Sequence, residues 1–273
     1  MAASEQFRVH EESDAYWRVV FENGPVNLID PDTVEQLADL VTRIEGAPEL
    51  TVVVFESANP DYFMAHWDFL ADPARVAAMA TGPTGLPAYV DNFIRLSRVP
   101  PLTISSIHGR VRAAGSEFVL ATDIRFAGDR AVLGQFEVGV GSVPGGGAMA
   151  RLARLVGRGR ALEILLGADD VPAARAAEYG YVNRVLPDAE LDAFVDGFAR
   201  RVAGFDRTAV RTTKHLVDTG SLPDSNEEFA AGMKAFFQTS GRPENADRVK
   251  RLFTLGLQQP DGVERDLGRR LAE

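Results

Sequence analysis

Two features of this chain could carry chemistry: the glycine-rich run Gly139-Val-Gly141-Ser-Val-Pro144-Gly145-Gly146-Gly147 and the glutamates Glu117 and Glu137. A glycine-rich turn that opens a helix presents unpaired backbone N–H groups at the positive helix end. Such a turn can hold an anion, an oxyanion or an activated water. A dinucleotide fingerprint is excluded because Pro144 occupies the sixth position of the GxGxxG frame. Taken alone, the run describes equally well a tight turn that lets backbones pack closely. The two glutamates, taken alone, read as solvated or salt-bridged structural carboxylates. The four histidines, His10, His66, His108 and His215, show neither an HExxH motif nor an i,i+4 pair, so no metal site is expected. There is no GxxxxGK[ST] phosphate loop and no GxSxG elbow. With no cysteine in the chain, disulfides and thiolate nucleophiles are excluded.

The elements that must position these groups alternate. Tyr16–Phe21 reads as a strand closed by Asn23-Gly24, and Asp30-Pro31-Asp32-Thr33 offers helix-start chemistry ahead of Val34, Leu37, Leu40 and Val41. Thr51–Phe55, Pro100–His108 and Ile124–Ala127 follow as strands. Helices are predicted from about Phe69 to Val99 (interrupted at Gly82-Pro83), Ala113 to Thr122, Gly146 to Leu155 and Gly159 to Leu166. This order implies an α/β fold with a largely parallel sheet. Beyond Asp188 the pattern is almost purely helical, including Ala209–Val217 and Asn226–Phe237. A net charge of −10 argues against a broad nucleic-acid surface. The chain start lacks a basic-then-apolar signal pattern, and no run of about 18 apolar residues occurs, so no membrane span is expected and the cytoplasm is the expected compartment.

The order of short motifs carries further than any one of them. Pro25-Val-Asn27-Leu-Ile-Asp30 resembles Ala-Leu-Asn-x-Leu, and Met64-Ala65-His66-Trp67-Asp68-Phe69 resembles Ala-Gly-x-Asp-Leu. Ile107-His-Gly109 through Ala113-Ala114-Gly115-Ser116-Glu117 resembles Val-Asn-Gly-x-x-x-Gly-Gly-Gly-x-Glu. Ala121-Thr122-Asp123 through Ala127, Gly134-Gln135-Phe136-Glu137 and Gly141 through Arg151-Leu152 resemble the three motifs that follow in the same family. In register over roughly residues 10 to 190, the chain resembles the crotonase (enoyl-CoA hydratase/isomerase) superfamily.

That resemblance implies a ββα spiral core over residues 1–190. A helical C-terminal region, residues 191–273, is expected to close the pocket and to build a homotrimer or dimer of trimers. It implies an acyl-CoA substrate, no separate cofactor and no metal. The thioester oxygen is expected between the N–H groups of Trp67 and Ala114. Glu117 and Glu137 are the expected catalytic pair, since adding water across a conjugated double bond needs one group to take a proton and another to supply one. Ala65, His66, Asp68 and Gly145 are expected to line the substrate, with Gly145 N–H toward the reacting water. Alternatives on the same scaffold are thioester or C–C bond hydrolysis, a hydratase-lyase step, or CoA binding without catalysis.

Several positions depart from the family pattern; Ala113 and Ala114 stand where the motif has glycines, which weakens the match but leaves a main-chain donor in place. His66 stands in place of a glycine, where a positive φ would strain it, and its imidazole could titrate near neutrality. Arg110 and Arg112 could contact CoA phosphates, pair with the glutamates, or be solvated. His108, in place of an asparagine, is expected to be a turn residue.

Overall fold

The computed structural model describes residues 4–271. Strands β1 (Phe7–Ser13) and β2 (Tyr16–Phe21) form an antiparallel hairpin, and helix α1 (Pro31–Glu45) follows. Asp30 caps α1 by accepting from Thr33 N–H while the Thr33 hydroxyl oxygen accepts from Asp30 N–H, a reciprocal cap on a Pro-started helix. Next come β3 (Val52–Ser57), β4 (Tyr62–Met64), α2 (Pro73–Ala78), α3 (Ala88–Leu96), β5 (Leu102–Ile107), β6 (Arg110–Arg112), α4 (Ala113–Leu120), β7 (Ile124–Gly128) and β8 (Val132–Gly134). The core closes with α5 (Ala148–Val156), α6 (Arg158–Gly167), β9 (Val171–Pro172), α7 (Ala173–Tyr179) and β10 (Arg184–Leu186).

Two sheets share these strands. One has the order β1-β2-β3-β5-β7-β10 and is parallel apart from the first hairpin; the other has the order β4-β6-β8-β9. The consecutive pairs β3/β4, β5/β6 and β7/β8 each place one strand in each sheet before the chain returns through helix, which makes a ββα spiral. The single parallel sheet predicted from the sequence is therefore two sheets. Helix α4 lies inside the spiral with all eight of its residues buried. Phe118 from α4 packs edge-on against Phe55 of β3 and near Phe63 and Phe93, and burying a side chain of this size is worth about 1.5–3 kcal/mol.

From Asp188 the described elements are helical: α8 (Asp188–Ala203), α9 (Arg207–Ser221), α10 (Glu227–Ser240), α11 (Pro243–Thr254), a 3₁₀ turn (Val263–Arg265) and α12 (Leu267–Arg270). Leu191, Val195 and Ala199 of α8 pack on the outer face of the large sheet. Helix α9 buries only Lys214, which reaches Pro101 O (3.0 Å) and ion-pairs with Asp123. Leu252, Leu257, Val263 and Leu267 pack against Ala113 and Phe136, which brings the chain's end back to the first turn of α4. Among the described residues, no helix is long and apolar enough to cross a membrane.

Candidate active site

The site begins where β6 runs directly into α4. Arg112 occupies the N-cap position with extended backbone and provides no side-chain cap, so the first N–H groups of the helix have no intrahelical acceptor. Ala114 N–H accordingly has no acceptor among the described residues. Strand β4 lies parallel to β6 with Met64 opposite Val111, and Arg112 N–H donates to Ala65 O at 3.2 Å. Trp67 follows the end of β4 by three residues and Ala114 follows the end of β6 by two. Trp67 N–H is likewise unpaired, while its neighbours bond across to Ile29. Gly115 permits this approach, since a Cβ there would lie 2.1 Å from Met64 O.

One helical turn beyond Ala114, Glu117 is 2% exposed. Its Oε1 accepts Gly146 N–H (2.7 Å) and Ala148 N–H (3.1 Å), and its Oε2 accepts the Tyr89 hydroxyl (2.8 Å). Glu137, 8% exposed, is held by Gln135. Oriented by its hydrogen-bond network, the Gln135 amide donates to both Glu137 oxygens (3.0 and 3.1 Å) and accepts from the Ser116 hydroxyl (3.0 Å). No cation lies within ion-pair distance of either glutamate among the described residues. Burial pushes Glu137 well above the usual carboxylate range, and the charge of Glu117 pushes it further. Burial also raises Glu117, opposed by the donors at Ala148, Tyr89 and Gly146 and by the nearby Arg151 charge. The pair is thus asymmetric, with Glu117 carrying the better-supported negative charge and Glu137 the better-held proton.

With the two open N–H groups and the two buried carboxylates in place, the comparison with known sequences is decisive: the family model described as enoyl-CoA hydratase/isomerase matches residues 11–248. The chain belongs to the enoyl-CoA hydratase/isomerase family. It is 28% identical over 242 residues to the short-chain-enoyl-CoA hydratase of Clostridium acetobutylicum, covering 87% of this chain and 91% of that one. To the crotonyl-CoA hydratase of Syntrophomonas wolfei it is 29% identical over 229 residues, 82% of this chain and 86% of that one. A crystal structure from Streptomyces avermitilis, provisionally described as an enoyl-CoA hydratase, superposes with a TM-score of 0.92 at 40% identity, covering 100% of this chain and 98% of the other. The crotonase fold expected from the motifs is the fold observed.

Where this member of the enoyl-CoA hydratase/isomerase family departs from the motif pattern, the structure gives reasons. His66 is fully buried and carries no positive φ; the residue at φ +44 is Ala113 instead. The expected strain therefore falls one motif later, at the start of α4. The His66 Nδ1 lies 2.7 Å from Trp67 O and its Nε2 lies 2.8 Å from Glu264 Oε1, with Phe69 and Phe136 rings on its sides. Both ring nitrogens are thereby committed to the scaffold. Arg112 makes a bidentate pair with Asp170 (2.6 and 2.8 Å) and donates to Glu264 O (2.9 Å), while Arg110 donates to Arg265 O (3.0 Å) and sits over the Tyr62 ring. Neither arginine pairs with Glu117 or Glu137. Asp68 Oδ1 accepts Leu70 N–H (2.8 Å) and the Gln258 amide (2.7 Å), which ties the loop after Trp67 to the chain's end. His108 is more than a turn residue, since its Nε2 lies 2.8 Å from Asp192 on α8.

Sequence reasoning missed Tyr89, Gln135, Glu264 and Gln258. Only Gln135 carried a signal, as part of the Gly-Gln-x-Glu motif; the others lie in segments with no motif. Helix α10 covers the glycine turn of its own chain: a Cβ on Gly145 would lie 3.0 Å from the Phe236 ring, and Gly145 N–H has no acceptor among the described residues. Phe237 is 60% exposed and takes no part in this cover. A cavity of about 940 Å³ opens between the C-terminal end of α4 and α9, but neither glutamate lines it. Among the described residues, no cluster of three or more His, Cys, Asp or Glu side chains could hold a metal.

Proposed function

We propose that this protein is an enoyl-CoA hydratase that adds water across the double bond of a conjugated acyl-CoA thioester. The observation that carries the reading is the asymmetry of its two buried glutamates. Glu117, stabilised as an anion by three donors, takes a proton from water as the oxygen adds to the β-carbon. Glu137, held protonated by burial and by its neighbour's charge, supplies the proton to the α-carbon. The N–H groups of Trp67 and Ala114 receive the enolate oxygen that forms between these steps, and one such donor is typically worth about 3–4 kcal/mol of barrier. Because both donors are main-chain, the alanines at 113 and 114 leave them in place. Gly145 N–H, unpaired beside the Glu117 cradle, orients the water. Ala65 and Asp68 shape the loop around the thioester. No cofactor beyond the CoA thioester itself enters this scheme.

Hydrolysis directed by His66 draws no support from the geometry, since both nitrogens of that ring are occupied. Exposed Phe205, Leu216 and Val217 on and before α9 fit the further proposal that the helical region joins copies of the chain into a homotrimer or a dimer of trimers. The primary test follows the loss of the enoyl thioester absorbance with crotonyl-CoA and with longer and aryl enoyl-CoAs. Wild type is expected to turn over at least one of these, and Glu117→Gln and Glu137→Gln each to lose about 10²- to 10⁴-fold in kcat with unchanged circular dichroism. Full activity in either variant removes that carboxylate from the mechanism. Release of free CoA would replace hydration by hydrolysis.

A further inference from the structure

A carboxylate offers about four lone-pair sites, two on each oxygen. On Glu117, Gly146 N–H and Ala148 N–H occupy Oε1, and the Tyr89 hydroxyl occupies one site on Oε2. A single lone pair on Oε2 is left to receive a proton. We propose that Tyr89 is the positioning residue for the proton-accepting carboxylate: its hydroxyl favours the Glu117 anion and confines proton uptake to one site on Oε2. This inference rests on the hydratase reading for its catalytic meaning, although the contact itself does not.

The placement of Tyr89 suits the role. It lies in the first turn of α3, after Pro87, and its ring is gripped edge-on by Trp67 (5.6 Å, 86°) and by Phe93 (4.9 Å, 66°). The hydroxyl is therefore fixed by the ring rather than free to follow the carboxylate. Because Trp67 also supplies one of the two open N–H groups, Tyr89 touches both halves of the site. Gly146 makes the arrangement possible: a Cβ there would lie 2.6 Å from Glu117 Oε2 and 2.9 Å from Tyr89 Cε1. Burial and the Glu117 charge push the Tyr89 hydroxyl well above its ordinary range, so it stays a donor wherever the enzyme works. The other charged groups facing Glu117 are Glu137, which opposes its ionisation, and Arg151 of α5, which favours it. Neither is altered by a change at Tyr89.

The test is Tyr89→Phe, which keeps the ring contacts and removes only the oxygen. With crotonyl-CoA, kcat is expected to fall about 10- to 100-fold, the range of one hydrogen bond to a charged group, with KM nearly unchanged. Loss of a donor to the anion raises the Glu117 pKa, so the acid limb of kcat/KM should move to higher pH. Adding Tyr89→Phe to Glu117→Gln should cost little more. An acid limb and kcat equal to wild type would overturn the proposal, as would an effect confined to KM. Infrared titration of the Glu117 carboxyl, assigned by difference from Glu117→Gln, reads the same shift without turnover. If wild type is inactive, the hydratase reading fails, while an unmoved infrared titration in Tyr89→Phe would sink the Tyr89 proposal on its own.

Discussion

Two buried carboxylate clusters flank the loop that carries Trp67, and they are built on opposite principles. In the first, Glu117 and Glu137 lie within electrostatic reach of each other without an ion-pair partner, and burial pushes both upward. In the second, Glu264 is fully buried, and burial pushes it up as well. There, however, the His66 charge and hydrogen bond, Gln258 N–H (2.8 Å) and the Arg112 charge reverse the sign, and its pKa is lowered. Similar burial thus leaves two carboxylates raised in one place and one lowered in the other. What separates them is direct pairing: His66 lies 2.8 Å from Glu264, whereas the Arg151 charge acts on Glu117 without an ion-pair contact. The clusters meet at Trp67, whose carbonyl faces His66 and whose indole packs on Tyr89.

The largest expected effect that would break this comparison is Glu264→Ala. It leaves His66 buried without its carboxylate, and breaking a buried pair costs about 3–5 kcal/mol. Denaturant unfolding should show that loss at pH 7 and a much smaller one at pH 3. The sign follows from linkage: a lowered folded pKa contributes stability above the ordinary glutamate pKa, and this is lost as pH falls through the folded value. A loss equal at both pH values would mean that Glu264 anchors by packing alone.

Glu137→Gln should move stability the other way. A raised folded pKa means that the folded state holds a proton the unfolded chain releases, so stability declines as pH rises above the ordinary glutamate range. The variant is expected to exceed wild type in thermal stability at pH 8 and to match it near pH 4. A Glu137→Gln less stable at pH 8 would place Glu137 among the structural carboxylates.

The smallest effect belongs to Ala113 at the head of α4, packed among Phe136, Leu257 and Leu267. Its φ of +44 lies in the left-handed region, where a non-glycine residue carries roughly 1 kcal/mol of strain. Ala113→Gly is expected to gain about 0.5–1 kcal/mol with no change in turnover; a loss would show that the methyl's packing against Phe136 and Leu267 outweighs the strain.

The sequence by itself indicated the four inner strands of the large sheet and the main helices, and it put forward the two glutamates as candidates. Apolar runs such as Val52–Phe55 and the capped start at Asp30 are local signals, and the family motifs preserve order along the chain. It did not reveal the second sheet, whose strands of two or three residues are too short to show a period of two. Only the tertiary structure decided the partners. His66 and Glu264 stand 198 positions apart, Arg112 and Asp170 58 apart, and Tyr89 and Glu117 28 apart. A hydrogen bond between polar side chains leaves no periodicity in either segment, so the sequence could nominate Glu117 and Glu137 but not the neighbours that give each its charge. Those neighbours follow from packing, because a buried carboxylate takes its character from whatever the fold sets beside it.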